Sequence, residues 1–164
     1  MLVKISCVLL CLLGLAGAAG TQAPPKELIG TWVVAHNIPI KAESCWGREE
    51  AKKLIGTEIQ YSDKIYRWDK TILENPVAET RSVTAQEFRE ENSGAGPKGD
   101  QITLPLLGIY SDPVTEVSIQ HKPAHIFLET TEIPGDDVVL KNPDTIVFAV
   151  CNVYFEAKRI RNKK

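Results

Sequence analysis

Between residues 28 and 160 no apolar stretch keeps a helical period long enough to build a crossover helix; a turn signal stops each one first. The stops include Pro39, Asn75-Pro76, Pro134-Gly135-Asp136 and Asn142-Pro143-Asp144. The runs between them are short and rich in β-branched and aromatic residues. Several alternate: Ile59 and Tyr61 oppose Glu58 and Gln60, and Val117 and Ile119 oppose Glu116 and Ser118. Parallel neighbours need a connection of about a dozen residues or more. The pattern therefore excludes a doubly wound α/β fold and predicts an antiparallel meander.

Strands are predicted over residues 28–37, 57–62, 64–69, 77–83, 114–120, 126–133, 138–140, 145–150 and 153–160, about eight or nine in all, with residues 77–83 charged enough to be an edge. Cys151-Asn152 is either a tight turn or a kink. Two short helices interrupt them. Residues 44–55 carry Trp46, Ala51, Leu54 and Ile55 at helical spacing, with Ser44 as a possible N-cap and Gly56 as the terminating glycine. Thr84-Ala85-Gln86-Glu87 is a capping box, and Phe88 anchors the helix it opens. The glycine-rich residues 93–100 read as a surface loop. A meander of this size protects its edges by closing into a barrel or folding into a sandwich. The expected fold is all-β with two short helices, closed into a barrel of about eight strands.

Residues 1–20 stand apart as a signal peptide: Lys4 gives a positive start, an apolar run follows to Leu15, and small residues then allow cleavage between residues 18 and 23. The run is too short for a membrane span, which takes roughly 20 apolar residues. Residues 24–160 make one domain and residues 161–164 a basic tail. The processed chain has 18 basic and 21 acidic residues, so nothing draws it to nucleic acid. Cys7 and Cys11 leave with the signal peptide. Cys45 and Cys151 remain, to be read as one disulfide in an exported protein or as two buried thiols. A disulfide closing so long a loop contributes about 3–5 kcal/mol in the chain-entropy model.

On a strand starting near residue 28, Gly30, Trp32, Val34 and His36 share a face, and on the last strand Val153, Phe155, Ala157 and Arg159 do the same. An Arg ending an apolar face needs a receiver, and a Trp ring provides one by stacking. Gly30 allows a close approach there. The first and last strands are thus expected to meet, with Gly30, Trp32 and Arg159 closing one end. Gly30-Thr31-Trp32 followed by an Arg in the last strand resembles the lipocalin and wider calycin pattern, with Arg161 a possible alternative to Arg159. That resemblance implies a lipocalin-like barrel holding a small apolar or amphipathic ligand without catalysis. Tyr61, Tyr66, Trp68, Phe127, Phe148 and Phe155 are then the candidate ligand contacts. The segments LIGTWVV, EEAKKLIG, VTAQEF and NPDTIVF also resemble small exported bacterial proteins of unassigned function, which implies a secreted or periplasmic location.

Other chemistry is weaker. His121 and His125 are separated by Pro123, which opposes the helix that zinc binding at this spacing needs, and no carboxylate pattern joins them to His36. Glu132, Asp136 and Asp137 lack the alternating spacing of a calcium loop. There is no Gly-x-Ser-x-Gly elbow for a hydrolase, and the glycine-rich loop lacks a phosphate-loop ending. No metal or cofactor is therefore expected, and no enzyme. The second functional expectation is a protein-binding module, such as an inhibitor of a secreted or periplasmic hydrolase, acting through residues 93–100 and 121–124. The sequence sets no oligomeric state.

Overall fold

The computed structural model describes residues 22–40, 44–93, 101–120 and 132–161. Among the described residues nine strands form one antiparallel sheet. They are β1 (Gly30–Asn37), β2 (Glu58–Tyr61), β3 (Ile65–Trp68), β4 (Thr71–Glu74), β5 (Val77–Val83), β6 (Val114–Gln120), β7 (Asp137–Asn142), β8 (Thr145–Val150) and β9 (Val153–Arg159). Their spatial order is β4-β3-β2-β1-β9-β8-β7-β6-β5. First and last strands do pair, with Trp32 opposite Arg159. The meander is as the sequence predicts, but its closure is not.

The sheet is an open, curled half-barrel whose edges, β4 and β5, lie 9 Å apart, not a closed lipocalin or calycin barrel. Two ladder spacings of about 4.8 Å separate those edges, so no hydrogen bond joins them. The physical reason is parity. Every ladder from β5 round to β4 is antiparallel, and there are eight of them, so β4 and β5 run in the same sense. Only Asn75-Pro76 joins them, far too little chain for a parallel crossover. β4 is the one described strand that no sequence expectation covers. Its Thr71 and Leu73 are half-buried on the concave face, and Ile72 and Glu74 are exposed.

Two helices and a turn pack on this sheet: α1 (Arg48–Leu54), α2 (Ala85–Asn92) and a 3₁₀ turn over Leu104–Leu107. The capping box of α2 forms as expected, with Thr84 Oγ1 accepting from Glu87 N–H and Glu87 Oε2 accepting from Thr84 N–H at 2.8 Å. α1 begins later than its sequence suggests. Gly47 is its N-cap, because the Ser44 hydroxyl donates instead to the Cys151 carbonyl at 2.6 Å and accepts from Trp46 N–H. Cys151 and Asn152 both have positive φ, 55° and 60°, so β8 and β9 are joined by a tight turn. The expected strand over residues 126–133 lies largely outside the described residues.

The curl has two cores. The concave side holds Leu28, Trp32, Val34, Ile59, Tyr61, Tyr66, Phe148, Phe155 and Ala157 among others. On the convex side Val139, Val147 and Tyr154 pack with Phe88 of α2 and with Leu104, Leu107 and Ile109. β7 and β8 are therefore covered on both faces. This explains why Val138-Val139 and the run Thr145–Val150 are apolar without alternation.

Candidate functional site

The sequence-selected aromatics line the concave core. The Tyr61 hydroxyl donates to the Gly135 carbonyl at 2.6 Å and the Tyr66 hydroxyl to the Pro134 carbonyl at 2.8 Å. Burial raises both phenol pKa values above the ordinary range, so these are neutral donors. Phe148 and Phe155 stack at 5.5 Å between centroids. Trp68 is partly buried against the same core, and its Nε1–H finds no acceptor among the described residues. Phe127 lies outside the described residues.

At the other marked position, the Arg159 guanidinium carbon sits 4.1 Å from the Trp32 ring centroid. Its Nε donates to the Pro143 carbonyl at 2.8 Å, and its terminal nitrogens donate to the Ile29 and Glu27 carbonyls. Gly30 has φ +144°, and a Cβ there would come 2.6 Å from Arg159 Nη1. This cluster joins β1 to β9 without closing a barrel. Arg161 instead pairs with Asp144 at 2.5 Å. Cys45 and Cys151 are bonded, with Cα atoms 5.2 Å apart, and tie the chain before α1 to the β8–β9 turn.

Neither function expected from a barrel survives. The open sheet has no cup to enclose an apolar or amphipathic ligand. Fully buried side chains such as Trp32, Tyr61, Tyr66 and Phe155 pack its concave side. For the inhibitor reading, residues 94–100 and 121–124 lie outside the described residues, and no described surface supports a protein-binding role. His121 and His125 also lie outside them. Among the described residues no group of His, Cys, Asp and Glu is placed to hold a metal ion.

The concavity with converging polar groups lies on the convex face. There a groove of about 400 Å³ runs between α2 and β6–β8. Strand pairing sets its floor: Arg81, Glu116, Val139 and Val147 follow one another across the sheet, and Ser118 pairs with Asp137 beside them. Tyr154 of β9 and Phe88 of α2 give aromatic walls. Arg81 is shared between two carboxylates. Its Nε donates to Glu116 at 2.8 Å, and its terminal nitrogens donate to Glu91 of α2, which fixes the helix over the sheet.

These contacts separate the carboxylates. Arg81 holds the exposed Glu91 below the usual range. Burial pushes Glu116 up despite its bond to Arg81. Burial, with a contribution from Glu116, also pushes the Tyr154 phenol up to about 12, and its hydroxyl meets Asn92 Oδ1 at 3.2 Å. Glu132 and Asp136 line the same groove, and Asp137 is in no ion pair among the described residues. Among the described residues the lining sets five carboxylates against the guanidinium of Arg81, beside aromatic and aliphatic walls. A second hollow of about 510 Å³ lies beside α1 under Ile38, Ile40 and Trp46, with Arg48 and Lys52 at its exposed rim.

The sequence offers Glu132, Asp136 and Asp137 only as a calcium loop of the wrong spacing, and does not bring Arg81, Glu91, Glu116 and Tyr154 together as a group. The signal available was the unalternating apolar run of β8, which demands a second layer on the outer face. The chain matches no protein-family model, no curated protein and no solved structure.

Proposed function

We propose that this is an exported, disulfide-locked protein that binds a small organic cation, without catalysis, in the groove between α2 and the convex face of the sheet. The supporting observation is the composition of that groove. Among the described residues carboxylates outnumber guanidinium groups there, and the Arg81 guanidinium is already shared between Glu91 and Glu116. A partly desolvated Glu116 gains from a further positive neighbour, because burial disfavours its ionised form. Tyr154 and Phe88, buried in the outer core, line the groove and offer apolar contact to a short alkyl chain. Export is supported by the Cys45–Cys151 bond, since such bonds persist in oxidising compartments. No described helix is long and apolar enough to cross a membrane.

Isothermal titration with butylammonium, butylguanidinium and spermidine, against butyrate and butanol as controls, tests the reading. Saturable binding of the cations, weakened by Glu116→Gln and by Asp137→Asn, is the expected result. Equal binding of butyrate, or no saturable binding of any cation, overturns it.

A further inference from the structure

The hollow beside α1, of about 510 Å³, lies at the end of β1 and the start of β9. Ile38 and Ile40, which follow β1, line it and pack against the outer core. Trp46 and Val153 also line it and pack against the inner core. The hollow therefore sits where the two cores meet, at an end of the sheet and not within its curl. Its volume falls in the range of small-ligand pockets, about 300–1,000 Å³.

Both sides of the hollow are anchored to residues 151–154. On one side Ile38 N–H donates to the Tyr154 carbonyl at 2.7 Å. On the other, Cys45 is bonded to Cys151, the Ser44 hydroxyl donates to the Cys151 carbonyl at 2.6 Å, and Trp46 N–H donates to Ser44 Oγ at 3.0 Å. Ala51 and Leu54 are buried in the inner core and fix α1 beside it. The hollow is thus built before any ligand arrives, which spares the cost of ordering it. Its charge is one-sided: among the described residues no carboxylate lines it, whereas Arg48 and Lys52 do, four positions apart and so on one face of α1. Lys52 is held by Glu49 at 2.8 Å, and the Glu50 carboxylate lies over Gly47. Arg48 makes no hydrogen bond or ion pair among the described residues.

We propose that this hollow is a second binding site, for a small aromatic carboxylate whose ring packs among Ile38, Ile40, Trp46 and Val153 and whose carboxylate is received by Arg48. A guanidinium matches a carboxylate with two parallel hydrogen bonds, so the free Arg48 supplies both the charge and the orientation. A rigid ring system fills a hollow of this size with less loss of internal freedom than a flexible chain. The ligand is opposite in charge to that of the groove under α2, and this site does not depend on that groove being occupied.

Isothermal titration with naphthoate, naphthylmethanol and butyrate, joined to methyl NMR on the same samples, tests this. Naphthoate is expected to bind saturably and to shift the methyl signals of Ile38, Ile40 and Val153. Naphthylmethanol keeps the ring without the charge, and butyrate keeps the charge without the ring. Each is expected to bind roughly tenfold more weakly or worse. Arg48→Ala is expected to weaken naphthoate roughly tenfold. Arg48 is exposed, so that variant should keep the urea midpoint of the unaltered protein. Four results overturn the proposal: no saturable binding of naphthoate, binding of the alcohol or of butyrate as tight as that of naphthoate, an affinity unchanged by Arg48→Ala, or methyl shifts at Val139 and Val147 in place of Ile38, Ile40 and Val153.

Discussion

Gly30→Ala tests the reason a glycine opens β1. Two costs are expected. The backbone sits at φ +144°, where a side chain adds strain of about 1–3 kcal/mol. The new Cβ would also come 2.6 Å from Arg159 Nη1, and no other described atom lies within 4 Å of it apart from Arg159 Cζ at 3.7 Å. The guanidinium would have to leave its carbonyl acceptors and the Trp32 ring. Because this group is only half-buried, that loss is put at about 1–2 kcal/mol. The total is about 3 kcal/mol. In an Arg159→Ala background only the backbone strain remains, so the two substitutions should couple by about 1–2 kcal/mol. Urea unfolding followed by tryptophan fluorescence, on both single variants and the double variant, measures this. Costs that add to within about 0.5 kcal/mol would refute the idea that Gly30 is there to admit Arg159.

Three further outcomes follow from other contacts. Thr84→Ala removes the cap oxygen of α2 and should cost about 1 kcal/mol, measured by the same unfolding assay. Replacing Cys45 and Cys151 by Ser should cost about 3–5 kcal/mol, seen as a lowered urea midpoint that reductant no longer shifts. Burial raises the Glu156 carboxyl, but bonds from Lys141 and Lys158 outweigh it and hold its pKa below 4.5. Its folded pKa being depressed, it stabilises the protein above pH 4.5, and that contribution is lost as pH falls through the lowered value. Glu116 has a raised pKa and works in the opposite sense, stabilising below 4.5 and losing that contribution as pH rises. Urea midpoints taken from pH 7 down to about 3 should therefore fall less steeply at the acid end in Glu156→Gln and more steeply in Glu116→Gln.

What was legible in the sequence was local or periodic. Thr84 and Glu87 sit three residues apart and complete each other's bonds, so the capping box could be read directly. Gly30, Trp32 and Arg159 were found because period-two alternation puts each on the inner face of its strand. Ser44 misled because its hydroxyl serves a contact 107 residues away, on the Cys151 carbonyl, which no local rule foresees. β4 escaped notice because four residues between two turns hold only Thr71 and Leu73 on the inner face. With β4 the described strands number nine, and an odd count leaves an all-antiparallel sheet open. The outer groove needed a second layer, and residues that look misplaced on a one-sided sheet, Val139, Val147 and Tyr154, were its trace. Its charges come from α2 and three strands, brought together only by register.

Methyl NMR during a butylguanidinium titration tests the central claim, that the working surface is the convex face and not the concave core. Val139 and Val147 pack in the outer core, and Val34 and Val150 in the inner one. The account predicts saturable shifts at Val139 and Val147 with Val34 and Val150 unmoved. Shifts confined to Val34 and Val150, or none at any of the four, would contradict it.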